Sequence, residues 1–307
     1  MGKRTTNGFV QLRLGVEIII SCPAGYMPKE KVNSCVSTLQ NEGYHVIVGE
    51  TVGGNSQNYF SGTDDERREE MQRFLDDKNI DAILCGRGGY GISRIIDRLC
   101  FKKFLKQPKW IIGFSDVTVI HTYLFSNFKV AAIHASMAAA FNDGGDKSQN
   151  VITLLDALKG GKSNYTIEAN NANKKGIATG KLIGGNLTLL ANGIGTLSDV
   201  KTHKCILFLE DLGEQLYNID RMMVQLKRNG KLENLAALVI GGFTDLKDTE
   251  RPFGKTIYEI INELVAEYDY PVCFDFPVSH AENNVALKHG LKHNLIVEED
   301  GVMLKEI

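Results

Sequence analysis

A serine and an aspartate lie between two apolar segments, in the stretch WIIGFSDVTVIH at 110–121. The segment WIIG is typical of a buried strand, and a helix-like apolar pattern follows the aspartate. Ser115 could act as a nucleophile there, because hydrolases place a serine on such a strand-to-helix turn in the pattern G-x-S-x-G. Gly113 matches that pattern, whereas Val117 stands where the second glycine would be. Ser115 or Asp116 could instead cap the following helix, so the local pattern leaves both interpretations open.

A glycine-rich stretch, GRGGYG at 86–91, follows a strand-like segment and precedes a helix-like one. Backbone N–H groups that converge in such a turn can bind an anion, and the dipole of a following helix adds to the attraction. The spacing is neither G-x-G-x-x-G nor that of a P-loop, since no Gly-Lys-Ser/Thr follows. Three interpretations stay open: a tight turn that needs positive φ angles, a nucleotide site, or an oxyanion hole.

A nucleophilic serine also needs a general base and a carboxylate that orients the base. Among the seven histidines, His280 follows the strand-like run 271–278, and functional groups of α/β proteins gather where strands end. Glu210 and Asp211 end another strand-like segment, CILFLED. Acids at such apolar positions are uncommon unless they have a partner or a function. Ser115, Glu210 and His280 therefore occur in the chain order nucleophile, acid, base.

The composition argues against several other classes of protein. A formal net charge of -2 gives no support for binding to nucleic acid, and no segment has the ~20 apolar residues of a membrane span. The six cysteines form no CxxC pair, which favours a reducing compartment, so we expect a cytoplasmic protein. His289 and His293 are four residues apart, but Gly290 lies between them and no zinc-binding helix surrounds them. We expect neither a metal nor a cofactor.

The N-terminal region has two interpretations. The sequence IISC at 19–22 resembles a lipoprotein cleavage site, with Lys3, Arg4 and Arg13 upstream. Glu17, however, interrupts an apolar segment that is already short for a signal peptide. The stretch VEIIIS at 16–21 fits a first β-strand, which is the interpretation we favour.

Strand-like and helix-like segments alternate along the first half of the chain. Thr63 and Glu66 form the pattern of a capping box at the start of one helix, and Gly43 follows the end of another. Short β-branched strands alternating with amphipathic helices indicate βαβ units, so we predict a doubly wound, mostly parallel sheet covered on both faces. The predicted strands are 16–21, 44–49, 80–85, 110–113 and 129–134, and the predicted helices are 29–42, 63–78, 92–99 and 117–126.

The second half is again mixed α/β and follows a region of polar loops. We predict an α/β chain of two domains: an N-terminal domain at 1–145, a connecting segment at 146–179, and a smaller mixed α/β domain at 180–307. The predicted strands of the second domain include 205–211, 236–243 and 271–278, and its predicted helices are 218–229 and 254–268.

Taken together, these stretches resemble the serine LD-carboxypeptidases, which include muramoyltetrapeptide carboxypeptidases and microcin C self-immunity peptidases. The resemblance extends over both halves of the chain, in five blocks that occur in the order of the family. The blocks are CGRGGYGISRIID (85–97), IIGFSDVTVIH (111–121), GKLIGGNLTLLANGIGT (180–196), LFLEDLGEQLYNIDRMMVQL (207–226) and FPVSHAENNVALKHG (276–290).

The resemblance implies a two-domain fold with the active site at the interface and a Ser–His–Glu triad in that site. Ser115 would be the nucleophile, His280 the general base and Glu210 the carboxylate that orients the base. An oxyanion hole made of fixed backbone donors suits the tetrahedral intermediate of such a reaction. In this chain those donors would be the N–H groups of Gly88 or Gly89 and of Asp116.

The reaction implied by the resemblance is hydrolysis of an amide between an L-configured centre and a terminal D-amino acid, through an acyl-enzyme. The expected substrate is a murein tetrapeptide that ends in D-alanine. Arg87 and Tyr90 are candidates for substrate binding, because the guanidinium of Arg87 matches a free α-carboxylate. Arg87 could instead form a structural ion pair. The resemblance also implies a homodimer.

The chain departs from the family at two points. Members often have GHG around the histidine and HGPM after the fifth strand, where this chain has SHA at 279–281 and HASM at 134–137. The base is retained while the wall of the site differs, so the reaction class is better defined than the substrate.

Two alternative functions follow from the same stretches. One is a family relative that hydrolyses peptidyl- or aminoacyl-nucleotide conjugates, and the other is a non-catalytic nucleotide-binding module that uses GRGGYG. The short segment between Glu210 and the following helix leaves little room for a base-stacking loop, which favours the murein substrate. A nucleotide-binding module would leave Glu210 and His280 unexplained.

Overall fold

The computed structural model describes residues 12–54 and 58–307, which form two compact units. The first unit extends to Gly161 and includes Val285–Leu287, and the second consists of Lys162–Asn284 and Lys288–Ile307. The segment 146–179, which was predicted to connect the domains, is divided between them. Its helix belongs to the first unit and its strands to the second.

The first unit is built on a parallel sheet with the strand order β2-β1-β3-β4-β5, and a sixth strand that begins at Leu287 lies beside β5. The strands are β1 (Glu17–Ser21), β2 (His45–Val48), β3 (Ile80–Cys85), β4 (Trp110–Gly113) and β5 (Ala132–His134). The helices are α1 (Asn33–Asn41), α2 (Asp64–Asp76), α3 (Thr118–Phe128) and α4 (Gln149–Leu158).

The central strands of this sheet are buried along nearly their whole length. Ile18, Ile19 and Ile20 of β1 are all buried, and every residue of β4 is buried as well. Because consecutive residues of a strand point to opposite faces, the sheet must be covered on both faces. The predicted covered, mostly parallel sheet is therefore confirmed.

The strand order places three loops at one edge of the sheet. β1 has β2 on one side and β3 on the other, so the order of the sheet reverses at β1. Ligands of open α/β sheets bind outside the carboxyl ends of the strands near such a reversal. The loops that leave this edge after β1, β3 and β4 lie at 22–26, 86–91 and 114–116.

Two local predictions for the first unit have different outcomes. The capping box at the start of α2 is confirmed, because the Thr63 hydroxyl accepts the N–H of Glu66 while the Glu66 carboxylate accepts the N–H of Thr63. The helix predicted at 92–99 is wrong: two short 3-10 turns, Ile92–Arg94 and Ile96–Arg98, stand there. Ile95 between them has φ -119, which breaks the helical path.

The second unit is a mixed sheet with the strand order β10-β9-β8-β7-β12-β13-β6. β7 to β10 pair in parallel, whereas β12 pairs antiparallel with β7 and β13, and β13 with β6. The strands of this sheet are β6 (Asn164–Ile167), β7 (Gly176–Asn186), β8 (Cys205–Leu212), β9 (Ala237–Thr244), β10 (Val272–Cys273), β12 (Lys292–Val297) and β13 (Val302–Glu306), and the helices are α5 (Leu187–Asn192), α6 (Leu216–Arg228) and α7 (Ile257–Val265). The remaining strand, β11 (Leu287–His289), is the one that lies beside β5 in the first sheet. The predicted mixed α/β domain is confirmed.

The strand predicted at 271–278 is much shorter than expected. Only Val272 and Cys273 pair as a strand, and the chain then enters a loop. Asp275 has φ 56, in the left-handed region, and Pro277 has no N–H to donate to a sheet. His280 therefore lies in a loop well beyond the strand, and not directly at its end.

The favoured interpretation of the N-terminal region is confirmed, because β1 occupies Glu17–Ser21 inside the sheet. Lys3 and Arg4, which belong to the lipoprotein interpretation, lie outside the described residues. Within 12–54 and 58–307, no helix has the length and apolar character needed to cross a membrane.

Candidate active site

Ser115 lies on a sharp turn between β4 and α3. Its φ is 60, which is uncommon for a residue with a side chain, and a 3-10 turn, Ser115–Val117, leads into the helix. Such left-handed backbone costs of order 1–3 kcal/mol and persists only where the surrounding structure imposes it. The turn therefore has the character of the strained nucleophile turn of hydrolases, although its second glycine is absent.

The capping interpretation of this turn is wrong for both residues. The N-cap position before α3 is Val117, the N-cap position before the 3-10 turn is Phe114, and neither has a side-chain capping bond. The carboxylate of Asp116 is engaged elsewhere, since its Oδ2 accepts the N–H of Ile92 at 2.9 Å. Burial raises the pKa of Asp116 to about 6, against the hydrogen bond from Ile92 and the charge of Arg67, which lower it.

The glycine-rich loop packs its backbone directly against the serine. A Cβ built on Gly88 would lie 2.9 Å from Cβ and 3.1 Å from Oγ of Ser115, so only glycine leaves room for the serine there. The carbonyl of Gly88 accepts the N–H of Gly25 at 3.0 Å, which fixes the peptide that links Gly88 to Gly89. Among the hydrogen bonds of the described residues, none uses the N–H of Gly88 or Gly89.

Arg87 and Tyr90 lie on the exposed side of the same loop. Arg87 is exposed, and its Nη1 donates to the carbonyl of Tyr26 at 2.9 Å. Tyr90 is 47% exposed, with its ring centroid 5.8 Å from that of Phe60. Both side chains are accessible to a ligand, while their part in substrate binding stays a prediction.

Glu210 and His280 lie together in the second unit. Nδ1 of His280 is 2.6 Å from Oε2 of Glu210, with the glutamate side chain wholly buried and the histidine side chain 13% exposed. Glu210 lies near the end of β8, at a register shift between Leu209 and Asp211. Such bulges re-aim side chains and are frequent near active sites.

The electrostatics of this pair support a histidine with raised basicity. Burial by itself lowers the pKa of His280, but the hydrogen bond and charge of Glu210, together with the charge of Asp211, outweigh it and raise the pKa above its usual value. Burial raises the pKa of Glu210, against the hydrogen bond and charge of His280, which lower it. A neutral histidine in this setting donates from Nδ1 and leaves the lone pair on Nε2, as a general base requires.

A second layer of polar groups supports Glu210, and it was not predicted from the sequence. Asp211 accepts four hydrogen bonds: from Nδ2 of Asn186 at 2.8 Å, from the N–H and hydroxyl of Thr188 at 2.9 Å each, and from the N–H of Leu212 at 2.8 Å. Asn186 also pairs in register with Glu210 across β7 and β8, and the amide helps to lower the pKa of that carboxyl. A polar residue directly after the buried run of β7 was the signal that could have revealed this layer.

The loop that carries His280 depends on two glycines of β9. The carbonyl of Val278 accepts the N–H of Gly242 at 2.9 Å, and a Cβ on Gly241 would lie 2.1 Å from that same carbonyl oxygen. Ser279, which stands where the family often has glycine, closes the loop further. Its hydroxyl donates to the carbonyl of Asn283 and accepts the N–H of Ala281, each at 3.0 Å.

The sites suggested by sequence are thus held in two groups. Ser115, Asp116 and the loop of Gly88 and Gly89 lie together in the first unit. Glu210 and His280 form a hydrogen-bonded pair in the second unit. His293, considered for a metal, contacts the carbonyl of Leu291 through Nδ1 at 3.1 Å, and His289 packs against the ring of Phe208. In the part of the chain that the structure describes, no three His, Cys, Asp or Glu side chains form a metal-binding group.

Sequence profiles of two domains of one family match this chain. The LD-carboxypeptidase N-terminal domain matches residues 18–135, and the LD-carboxypeptidase C-terminal domain matches residues 179–295. The first match contains the serine turn and the glycine-rich loop, and the second contains Glu210 and His280.

Proteins with similar sequences extend the match to nearly the whole chain. A probable murein peptide carboxypeptidase of Bacillus subtilis is 29% identical over 286 residues, which cover 92% of this chain and 89% of that protein. A putative carboxypeptidase of Synechocystis is 30% identical over 292 residues, which cover 92% of each chain.

Solved structures have the same fold. The muramoyltetrapeptide carboxypeptidase from Oxalobacter formigenes superposes with a TM-score of 0.85 and 26% identity, over 95% of this chain and 98% of that one. The microcin C7 self-immunity protein, solved with glutamyl sulfamoyl guanosine, has a TM-score of 0.84 at 21% identity, over 97% of this chain and 98% of its own. At that identity the second likeness concerns the fold alone.

Proposed function

This chain belongs to the LD-carboxypeptidase family and is a serine-type carboxypeptidase, and from this premise we propose that it removes the terminal D-alanine from murein tetrapeptides. The bond cleaved is the amide between an L-configured centre and that D-alanine. The names of the relative from B. subtilis and of the structure from O. formigenes, which refer to murein peptides and muramoyltetrapeptides, support this substrate class.

Ser115, His280 and Glu210 act as a triad in the proposed mechanism. Oγ of Ser115 attacks the carbonyl carbon while Nε2 of His280 takes the hydroxyl proton. Glu210 accepts the Nδ1–H of His280, which holds the ring in the correct tautomer and stabilises the imidazolium. His280 then gives the proton to the amine of D-alanine, which leaves. Water hydrolyses the acyl-enzyme by the same proton transfers in reverse.

The negative oxygen of the tetrahedral intermediate is bound by backbone N–H groups. Those of Gly88 or Gly89 and of Asp116 are the proposed donors. The close packing of Gly88 on Ser115 and the left-handed turn at Ser115 support this role, because they bring the loop backbone next to the nucleophile. Such preorganised donors typically contribute about 3–4 kcal/mol each to the transition state.

The observation that carries the proposal is the short hydrogen bond between His280 and Glu210. The carboxylate is wholly buried, and burial of an ionised group costs several kcal/mol unless it is paired and hydrogen-bonded. Its partner is a histidine that keeps 13% of its side chain exposed. An acid that is buried only to hold a partly exposed base is the arrangement that serine hydrolases use.

Arg87 is proposed to bind the free α-carboxylate of the terminal D-alanine. It is exposed, it lies one residue before Gly88, and its one hydrogen bond in the described structure, to the carbonyl of Tyr26, leaves other guanidinium donors for a carboxylate. Arg87→Ala should raise KM while the triad stays intact. Unchanged KM would rule out this role.

The test is release of D-alanine from purified murein tetrapeptide. Wild-type protein should release it, and Ser115→Ala should reduce the rate by at least ~10³-fold. Ser93→Ala, which changes an exposed serine of the same unit, is the matched control and should keep the wild-type rate. Full activity in Ser115→Ala would show that the serine mechanism is wrong, and inhibition by chelators would point to a metal instead.

An aminoacyl sulfamoyl nucleoside incubated with the same preparation tests the substrate class. We expect its hydrolysis to be undetectable or far slower than that of the tetrapeptide. A higher kcat/KM for the nucleoside than for the tetrapeptide would replace the murein proposal with the nucleotide-conjugate alternative.

We also propose that the protein is a homodimer of the cytoplasm. Among the described residues, no disulfide joins the cysteines at 22, 35, 85, 100, 205 and 273, which supports a reducing compartment. The dimer is proposed from the family resemblance. Light scattering should give twice the chain mass of 33.9 kDa, and a mass of 33.9 kDa would contradict it.

A further inference from the structure

One peptide group of the glycine-rich loop is held at both of its ends by buried charged side chains. The carbonyl of Gly91 accepts a hydrogen bond from Nη1 of Arg67 at 3.1 Å. The N–H of the next residue, Ile92, donates to Oδ2 of Asp116 at 2.9 Å. A cation thus holds the negative end of this peptide dipole and a carboxylate holds its positive end.

Neither charged side chain reaches solvent. Arg67 and Asp116 both have 0% exposure, and groups of these types are rarely buried so completely without a purpose. Burial of each charge is costly, and the cost is offset only when the remaining donors and acceptors are satisfied. An arrangement this demanding at a surface loop indicates that the position of the loop matters.

The guanidinium of Arg67 connects several segments to this loop. Nη1 also donates to the carbonyl of Pro23 at 2.7 Å, and Nε donates to the carbonyl of Gly62 at 3.3 Å. Its carbon lies 4.8 Å from the ring centroid of Phe60. The planar fork makes these contacts together, which a lysine ammonium cannot do with the same geometry.

Gly91 is required for this contact. Its φ is 148, and a Cβ at this position would lie 2.7 Å from Nη1 of Arg67. Gly25 supports the other end of the loop in the same way: its N–H donates to the carbonyl of Gly88 at 3.0 Å, and a Cβ would lie 2.8 Å from that oxygen. The loop is therefore held at two points, the carbonyl of Gly88 and the Gly91–Ile92 peptide, with Gly89 and Tyr90 between them.

We propose that Arg67 and Asp116 are positioning residues, which hold the glycine-rich loop against the serine turn so that donors from both segments meet one oxyanion. Asp116 suits this role because its backbone N–H is a proposed donor while its carboxylate holds the loop that supplies the other. The inference rests on the proposed function. It adds to that function two buried charged side chains, which act through the loop and do not themselves touch the substrate.

A role in positioning differs measurably from a role in stability alone. Loss of the hydrogen bonds from Arg67 and Asp116 to the Gly91–Ile92 peptide should lower kcat and leave KM nearly unchanged, because the oxyanion forms only in the transition state. A misplacement of about 1 Å can cost about 10²-fold in rate. A purely structural role would instead lower the melting temperature and leave the kcat of the folded fraction unchanged.

The variants are Arg67→Met, Arg67→Lys, Asp116→Asn and Asp116→Ala. Arg73→Met, which changes an arginine of the same helix with 55% of its side chain exposed, is the matched control. We expect kcat to fall about 10²-fold in Arg67→Met and Asp116→Ala. Asp116→Asn keeps an acceptor for Ile92 but loses the charge, so its kcat should fall about tenfold, and this variant tests the inference if the others fail to fold. Arg67→Lys should recover only part of the rate, and Arg73→Met should keep it.

Two separate readouts distinguish this inference from the proposed function. The first is release of D-alanine, and the second is the rate at which a fluorophosphonate labels Ser115, where Oγ displaces fluoride from phosphorus and the phosphoryl oxygen needs the same donors. Slower labelling in the variants supports the positioning role of Arg67 and Asp116 even if wild-type protein releases no D-alanine. In that case only the substrate proposal fails. Wild-type labelling rates and kcat in folded Arg67→Met and Asp116→Asn would overturn the inference.

Discussion

The serine turn in the first unit and the Glu210–His280 pair in the second are held by different kinds of interaction. The serine turn depends on backbone geometry: a left-handed residue and glycines that leave no room for a side chain. The acid–base pair depends on one charge-assisted hydrogen bond, supported by the polar layer around Asp211. The first region should therefore be sensitive to added atoms, and the second to altered charge.

The largest expected effect is that of a charge change in the second region. Glu210→Gln keeps the size of the side chain but removes the charge that orients and stabilises His280. By analogy with other triads, kcat should fall about 10³–10⁴-fold while the melting temperature changes little. The measurement is kcat for D-alanine release, with circular dichroism to check folding. A loss below about tenfold would show that the carboxylate charge is not what this region depends on.

An added methyl group is the corresponding change in the first region. Gly88→Ala should lower kcat by about 10²–10³-fold, because the new Cβ would displace either the loop or Ser115. Gly145→Ala is the control in the same unit: its Cβ meets open space, and its φ of 57 costs stability without a contact near the serine, so the folded variant should keep the wild-type kcat. Wild-type kcat in Gly88→Ala would mean that the close packing on Ser115 is not functional.

The stability of the first region should depend on pH through Asp116. The pKa of Asp116 is raised to about 6 in the folded chain, above its unfolded value, so its contribution is fully present below about pH 4 and is lost as the pH rises through 6. The free energy of unfolding should change by about 2–3 kcal/mol through this titration. Asp116→Asn lacks the titrating carboxyl group, so the melting temperature of the variant minus that of wild type should increase from about pH 4 to about pH 7. A constant difference across that range would contradict the burial argument.

The charge of Glu210 in the second region should affect the pH–rate profile through the pKa of His280. The pKa of His280 is raised above its usual value of about 6.5, and the base must be neutral to accept a proton. The value of kcat/KM should therefore fall tenfold for each pH unit below the pKa of His280, and that pKa should lie above about 6.5. Glu210→Gln removes the main cause of the raised value, so the residual activity should persist to lower pH. An inflection in wild type below about pH 6 would be the opposite outcome.

The smallest expected effect separates the backbone strain at Ser115 from the loss of its hydroxyl group. Ser115→Gly and Ser115→Ala both remove the nucleophile, but only glycine adopts φ 60 without cost. Ser115→Gly should thus be more stable than Ser115→Ala by about 1 kcal/mol in chemical denaturation. Equal stability of the two variants would show that the turn is not strained.

Much of the fold followed from local patterns. Five of the six strands of the first sheet and the capping box of α2 were predicted because short apolar runs and capping residues act over a few neighbouring positions. The predictions failed where long-range contacts override the local pattern. Isoleucines at 92, 95 and 96 suggested a helix, yet the chain forms two 3-10 turns with all three side chains buried.

The residues of the candidate site also divide into those that local patterns predicted and those that they did not. Ser115 was a candidate from its turn, and Glu210 and His280 from their places at the ends of strand-like runs, because each signal lies within a few residues. Arg67 and Gly25 carried no such signal as functional positions. Arg67 contacts carbonyls 44 and 24 positions away in the chain, so its role exists only once the strands are assembled.

The sequence by itself determined the α/β class, the chain order of Ser115, Glu210 and His280, and the turn on which Ser115 lies, since these depend on side-chain type and short spacing. The tertiary structure decided what those groups touch. The carboxylate of Asp116 does not cap the helix and accepts the N–H of Ile92 instead. His280 lies in a loop and contacts the buried Glu210. The physical reason is that burial and distant hydrogen-bond partners set the role of a polar group, and both arise only when remote segments pack together.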